Sequence, residues 1–227
     1  TKLIFNPPYS HQLDSIRQTL VEQGSSLVMT GTGSGKTESF LWPILGKIAA
    51  EAEQSKKTYE LPAMRALMIY PMNALVNDQL GRIRELFADS RLKETFRGWE
   101  ARIPTFARYT SRTFYPGKKS PKQDKLKLEE YKTFFEQNKR IREDATHPDR
   151  PNEIKKFEQL NDLGKWPAKD NLEAWYENNY ETQPNDSELL TRHEVHKNCP
   201  DLLITNTSML RYMMIRPIER NIFNQTK

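Results

Sequence analysis

Residues Thr30-Gly31-Thr32-Gly33-Ser34-Gly35-Lys36-Thr37 decide how the rest of the chain is read. Three glycines alternating with hydroxyl residues let the backbone curl until its N–H groups converge on phosphate oxygens. The short apolar run Ser26-Leu27-Val28-Met29 before them reads as a strand. Phe40-Leu41-Trp42-Pro43-Ile44-Leu45 after them reads as a helix, whose N-terminus faces the same anion. Lys36 then brings a charge to β- and γ-phosphates, and Thr37 offers a hydroxyl to Mg²⁺. The candidate nucleotide-binding residues are Thr32, Gly33, Ser34, Gly35, Lys36, Thr37 and Glu38. Lys36 and Thr37 form the catalytic pair, Thr37 is the metal residue, and ATP with Mg²⁺ is the expected cofactor. The alternative is a chance glycine-rich turn, against which Gly-Lys-Thr between a strand and a helix argues. The generic loop carries glycine five positions before its last one; Thr30 stands there instead.

Outward from the loop, short apolar runs alternate with helical periodicity. Leu13, Ile16 and Leu20 share a helix face upstream. Ala66-Leu67-Met68-Ile69-Tyr70 reads as a buried strand closed by Pro71, and Leu75, Gln79, Leu80, Ile83 and Phe87 as the helix after it. Pro104 to Thr110 and Asp201-Leu202-Leu203-Ile204-Thr205 are two further strands. The alternation predicts an α/β fold with a parallel sheet covered on both faces. Between Tyr115 and Asn198 it breaks down into a polar stretch, expected to be an insertion, partly helical and partly mobile. Within it Lys125 to Ile141 reads as a charged helix with Leu128, Tyr131, Phe134 and Phe135 on one side.

The composition narrows the class. Of 227 residues, 36% are hydrophobic, and the mean hydropathy of -0.82 is low for a wholly compact chain. No apolar run is long enough for a membrane span. One cysteine, Cys199, excludes an internal disulfide and fits a reducing cytoplasm. The absence of an initiator Met suggests a piece of something longer. The net charge is +5, and the basic surplus sits outside the polar stretch: Lys118 to Asn198 holds sixteen Lys and Arg against seventeen Asp and Glu, the remainder nineteen against thirteen. A modest basic excess is compatible with a polyanion partner.

With these motifs in order, the chain resembles the DEAD/DEAH-box-like helicases of superfamily 2, and specifically their first RecA-like motor domain. The resemblance rests on the loop above, with a small residue at Thr30, and on several other segments. Pro8-Tyr9-Ser10-His11-Gln12 resembles the Q motif, which implies that the Gln12 amide pairs with adenine and Tyr9 or Phe5 packs on the base; Gln12 as a plain helix-start residue is the alternative. Tyr70-Pro71-Met72-Asn73-Ala74-Leu75 resembles motif Ia, which lies along a nucleic-acid backbone and implies contacts from Pro71, Asn73 and Gln79, with charge from Arg82 and Arg84. Arg108-Tyr109-Thr110-Ser111 occupies the place of motif Ib, with Ser111 where the family has glycine, and implies Thr110 and Ser111. Pro200 to Leu210 resembles motif Ic and implies Thr205 and Asn206, the latter also a helix cap. The wording Tyr-Pro-Met-Asn-Ala-Leu, with Leu189-Leu190-Thr191-Arg192 ahead of Pro200-Asp201, is similar to large bacterial helicases of the MrfA-like group, some of which belong to anti-phage systems such as DISARM and Druantia.

The resemblance implies residues 1–114 as the N-terminal part of the RecA-like domain, 115–198 as a charged insertion, and 199–227 as a continuation of the domain. It also implies an Asp-Glu pair that holds the metal and orients water. No Asp-Glu dipeptide occurs in this sequence, so the fold is expected to be incomplete and the fragment alone inactive. DNA is favoured over RNA on the narrower resemblance alone. Two other readings stand: a P-loop phosphotransferase on a small molecule, and a nucleotide-switched subunit whose insertion docks a protein partner. Three features invite other chemistry. His193, His196, Glu194 and Cys199 suggest a metal or a solvated helix end. Lys118, Lys119, Lys122, Lys125 and Lys127 suggest a nucleic-acid contact or a solvated face. Trp166 and Trp175 suggest base stacking or a small satellite core.

Overall fold

The computed structural model describes residues 7–31, 33–114, 121–163, 165–169, 172–177 and 180–224; between 121 and 130 only the side chains of Leu128 and Glu129 are described. The elements run α1 (Ser10–Ile16), extended by a π turn (Arg17–Val21), α2 (Lys36–Gln54), α3 (Lys56–Tyr59), β1 (Ala66–Tyr70), α4 (Asn73–Ala88), α5 (Ser90–Gly98) and β2 (Phe106–Tyr109). Then follow α6 (Pro121–Glu143), α7 (Arg150–Asp162), α8 (Leu172–Glu177), β3 (Glu188–Leu189), α9 (Arg192–Lys197), β4 (Leu202–Asn206), α10 (Thr207–Ile215), a 3₁₀ turn (Pro217–Glu219) and α11 (Arg220–Asn224). The chain divides into two compact units, Thr1–Leu61 with Glu94–Ala101, and Pro62–Lys93 with Arg102–Lys227.

In the first unit, α1 and its π turn pack on α2. Gly46 makes the approach feasible, because a Cβ there would meet Leu20 Cδ1 at 2.6 Å. Leu41, Trp42, Ile48 and Ala52 of α2 are buried, as are Tyr59 and Phe96, whose rings lie 5.7 Å apart. The expected strand Ser26–Met29 is not formed among the described residues. Its apolar side chains are not covered either: Leu27 is 85% and Met29 81% exposed. A strand needs ladder partners for its backbone as well as apolar composition, and this run has none among the described residues.

The second unit holds a four-stranded, wholly parallel sheet in the order β1-β4-β2-β3. All five residues of β4 are buried, as a central strand requires. Its core joins Met64, Ala107, Tyr109, Leu189, Val195, Leu203, Met209 and Met213. One carboxylate fixes the start of three strands. Asp201, fully buried, takes Arg65 Nη1 at 2.8 Å, Arg102 Nη1 and Nη2 at 2.7 Å each, and the Thr105 backbone N–H at 2.8 Å. Its own carbonyl accepts from the Arg65 and Ala66 N–H groups.

Over its described residues the polar stretch is folded and largely helical. α6, α7 and α8 enclose an aromatic core of Leu128, Phe135, Trp175 and Tyr176, with Tyr131, Phe134 and Trp166 packed against it. Phe135 and Trp166 meet edge to face at 4.5 Å. Trp175 is fully buried and Trp166 half-buried, so the satellite-core alternative describes them. β3, which lies inside this stretch, joins the sheet; two residues carry no readable alternation. Buried charges fasten the insertion: Lys169 pairs with Asp186 at 3.2 Å, and Trp175 Nε1 donates to Glu194 Oε1 at 2.8 Å. Lys118 and Lys119 lie outside the described residues, as do the side chains of Lys122, Lys125 and Lys127.

Removing one member of a buried ion cluster strands the other charges. Asp201→Ala is therefore expected to lower stability by about 3–5 kcal/mol. Lys56→Ala, at the exposed Lys56–Glu100 pair, leaves the midpoint nearly unchanged. Urea unfolding of both variants beside the wild type checks the contrast.

Candidate phosphate loop and strand-end interface

In the first unit, Gly33 and Gly35 both adopt left-handed backbone, with φ of 77° and 73°. Side-chain-bearing residues resist that conformation, and at Gly35 a Cβ would also meet Gln12 Nε2 at 2.4 Å. Gly35 is the N-cap of α2, so the free N–H groups of the first helical turn open directly from the loop. Lys36 and Thr37 stand in that turn with Glu38. The Lys36 ammonium folds back over the loop and donates to the carbonyls of Thr30 at 2.9 Å and Gly31 at 2.5 Å. Ser34 Oγ donates to the Gly31 carbonyl at 2.8 Å and lies 2.6 Å from Thr30 Oγ1. The loop thus satisfies itself with the donors that a triphosphate would take. The glycine cradle, the helix start, the ammonium and the Thr37 hydroxyl form a donor set that fits phosphate and Mg²⁺. Thr32 and Phe5 lie outside the described residues.

Gln12 is 1% exposed and both ends of its amide are engaged. Oε1 accepts from the Tyr9 N–H at 2.9 Å, and Nε2 donates to the Gly35 carbonyl at 3.0 Å. It ties the Q segment to the phosphate loop and offers no free edge to a base in this arrangement. Tyr9 is 58% exposed, its ring stacked on His11 at 5.6 Å.

In the second unit, parallel strands deliver their C-terminal ends to one edge. Asn206, itself only 6% exposed, ends β4 and caps α10, its Oδ1 accepting from the Met209 N–H at 2.7 Å. Its Nδ2 donates to Asn73 Oδ1 at 2.6 Å, and Asn73 Nδ2 donates to Ser111 Oγ at 3.3 Å. Pro71 joins the same rim through Thr207 Oγ1, 3.5 Å from its carbonyl. The starts of α4 and α10 are thereby held side by side. The N-cap of α4 is Met72, whose side chain makes no capping hydrogen bond. Two helix N-termini, each the positive end of its dipole, meet at one polar rim.

Three expected contacts fall elsewhere. Thr205 is fully buried, its Oγ1 donating to the Tyr109 carbonyl at 2.6 Å. Thr110 is 1% exposed, its N–H given to Thr113 Oγ1 and its carbonyl taken by Arg192. Both side chains brace the rim from beneath rather than face solvent. Gln79 lies six residues beyond Asn73 on α4, on a different face of the helix, and donates to Asp78 at 3.0 Å. Arg84 adds no free charge either, because it is bound to Glu188 at 2.6 Å.

Sequence reasoning missed a polar network behind β2. Tyr109 OH donates to Glu219 Oε2, and His196 Nε2 lies 2.6 Å from the same oxygen and 2.9 Å from Tyr109 OH. The Arg192 guanidinium covers the Tyr109 ring at 5.1 Å. The start of α9 is packed inward, with Arg192, Glu194 and Val195 all buried, while its end at Lys197 and Asn198 is exposed. Burial pushes the Glu219 carboxyl up, but hydrogen bonds from His196 and Tyr109 and the charges of His196 and Arg216 outweigh it and hold the carboxyl below its usual range. Burial and Glu219 push the Tyr109 hydroxyl up, so it stays protonated and donates. No local pattern announces this network, since its members lie up to 110 residues apart.

Comparison with known proteins adds two findings. The family model described as DEAD/DEAH box helicase matches residues 9–142. The Druantia protein DruE of Escherichia coli (strain UMEA 4076-1) is 45% identical over 250 residues, an alignment covering 99% of this chain and 13% of that protein. The chain thus spans about an eighth of the length of the curated relative it matches. No solved structure matches.

Because Glu219 has a lowered carboxyl pKa in the folded chain, its contribution to stability is present above the unfolded value and is lost as pH falls through the folded one. Glu219→Gln is expected to cost about 2 kcal/mol at neutral pH, the scale of hydrogen bonds to a charged group. The gap to the wild type narrows as pH drops below the carboxylate range. Urea midpoints across a pH series measure both.

Proposed function

This chain belongs to the DEAD/DEAH box helicases, and on that premise we propose that it is the ATP-binding front part of a nucleic-acid-dependent helicase or translocase acting on DNA in anti-phage defence. The observation that carries the reading is the rim in the second unit, where two helix starts and the Asn73, Ser111 and Asn206 side chains converge. Such a rim suits the evenly spaced phosphates of a backbone and supplies no base-reading code, so binding is expected to be salt-dependent and tolerant of sequence. Defence enters through the Druantia relative, and DNA through the resemblance to MrfA-like helicases. On this reading residues 1–114 and 199–227 are parts of one RecA-like domain, 115–198 is an insertion, and the protein works in the cytoplasm.

In the ATP-bound state Lys36 leaves the Thr30 and Gly31 carbonyls for the β- and γ-phosphates. The N–H groups of Gly33, Ser34, Gly35 and the first turn of α2 surround the same oxygens. Thr37 would hold Mg²⁺, which when bound would supply positive charge to the phosphates. Glu38 orients the start of α2. Tyr9 packs on the adenine, and Gln12 reads its edge once its amide exchanges the Tyr9 and Gly35 backbone groups for the base. The Asp-Glu pair that orients water is not in these 227 residues, so this chain by itself hydrolyses ATP at background rate.

In the full-length protein, single-stranded DNA is expected to raise ATP turnover, and RNA to raise it less. Lys36→Ala is expected to lower the stimulated rate by about a thousandfold. Turnover indifferent to polynucleotide but dependent on Lys36 would replace the motor with a small-molecule phosphotransferase. Turnover indifferent to Lys36 would remove the site altogether. In the same protein Asn206→Ala is expected to weaken DNA binding and to cost about 1 kcal/mol of stability through the lost cap, read by anisotropy and by melting.

A further inference from the structure

A cavity of about 480 Å³ lies between α4, β2, β3 and the insertion, lined among others by Asn77, Asp78, Arg84, Arg108 and Lys165. Two guanidinium groups enter it on unequal terms. Arg84 is fully committed: its Nε lies 3.0 and 2.9 Å from the two Glu188 oxygens and its Nη2 2.6 Å from Oε1. Glu188 also accepts from the Ala168 N–H at 2.8 Å. Among the described residues Arg108 has no carboxylate of its own. Its Nη1 donates to the neutral Asn77 Oδ1 at 2.9 Å, and its Nη2 reaches the Arg112 carbonyl at 3.5 Å.

The surroundings leave Arg108 under-compensated. Burial first, and then the Arg84 charge, pull its pKa below the usual arginine range, with Arg112 adding to the repulsion and Glu188 opposing it. Three cations line the cavity against two carboxylates, Glu188 and the exposed Asp78, and the exposed Arg112 adds a fourth cation beside it. A half-buried guanidinium without a counter-ion is costly, and its fork matches two oxygens of one phosphate. Asn77 follows Asn73 by four residues on α4, so the two share a helix face about 6 Å apart. The cavity mouth therefore continues the rim formed by Asn73, Ser111 and Asn206.

We propose that Arg108, with Asn77 and Arg112, receives one backbone phosphate of the bound polynucleotide, extending the grip from the strand-end rim along α4 to the flank of the insertion. This rests on the polynucleotide reading above and adds Arg108 to a segment from which the resemblance drew only Thr110 and Ser111. Asn77 carries the guanidinium while the site is empty of phosphate, and the phosphate then takes the fork.

The test is binding of a fluorescein-labelled single-stranded DNA to the full-length protein, followed by anisotropy across a series of KCl concentrations. Arg108→Gln is expected to weaken binding about tenfold at low salt and to reduce the slope of log affinity against log salt by about one. Arg108→Lys, which keeps the charge but not the fork, falls between. A wild-type slope and affinity in Arg108→Gln overturn the proposal. Should Arg108→Gln melt early, Arg112→Gln, on an exposed side chain, replaces it: a reduced slope supports the contact and an unchanged slope overturns it. Inorganic phosphate that binds the wild type but not Arg108→Gln, yet leaves DNA affinity unchanged at matched ionic strength, assigns the cavity to free phosphate and overturns the strand contact. A wild-type protein that binds neither DNA nor RNA fails the polynucleotide reading itself, a separate result.

Discussion

The buried carboxylate of Asp201 is the constraint on which the second unit depends. It draws in Arg65 from before β1, Arg102 from before β2 and the Thr105 backbone, while its own carbonyl takes the first N–H groups of β1. Three strands are thereby started level with one another. Because all are parallel, of four or five residues, and paired without interruption, levelling one end levels the other about 15 Å away. The rim of Asn73, Ser111 and Asn206 is the far consequence. Tyr70 stands opposite Asn206 in the ladder and Tyr109 opposite Thr205, so the residues just beyond them emerge together. A register slip of one residue would turn Thr205 and Asn206 to the opposite faces, and the two helix starts would no longer be joined.

The phosphate loop obeys a different economy. Among the described residues, its own hydroxyls, its lysine and the Gln12 amide hold it. Every one of those contacts is made by a donor that nucleotide chemistry would also use. On the proposed reading, ligand binding there exchanges these partners for phosphate oxygens, which keeps the cost of opening the loop small. Gly35 is central to the exchange. Its left-handed backbone turns the chain into α2, and its carbonyl holds Gln12 in a space that a side chain would occupy.

How much of this was legible depends on how local the cause is. Leu202–Asn206 announces itself because burial on both faces calls for the apolar run Leu202-Leu203-Ile204, Ala66–Tyr70 by its apolar composition although Ile69 is exposed, and the loop because glycine alone readily adopts its φ values. Ser26–Met29 has the same composition as those strands, yet forms none among the described residues, because composition states what a strand can bury and not whether a neighbour is there to pair with it. Thr110 and Thr205 sit at the predicted place on their strands with the opposite facing, since a hydroxyl that bonds a neighbouring carbonyl is as content inside as outside. The charges were the least readable part. Asp201, Glu188, Glu194 and Lys169 look like solvated residues in a polar sequence and are instead the fastenings of the core, each joined to partners far along the chain.

That last point changes what the net charge means. A count along the sequence treats the span from Lys118 to Asn198 as balanced and so electrostatically mute. In the folded unit its Glu188 is spent on Arg84, and its Glu194 is spent on Trp175, Thr182 and the cap of α9. Buried pairs cancel at short range and contribute little to the field outside, whereas a guanidinium whose nearest carboxylate is already taken contributes nearly its full charge. Arg108 is such a group, since the carboxylate that acts on it, Glu188, is bound to Arg84. The positive character of that edge therefore arises less from the abundance of basic residues than from where the acidic ones have been consumed.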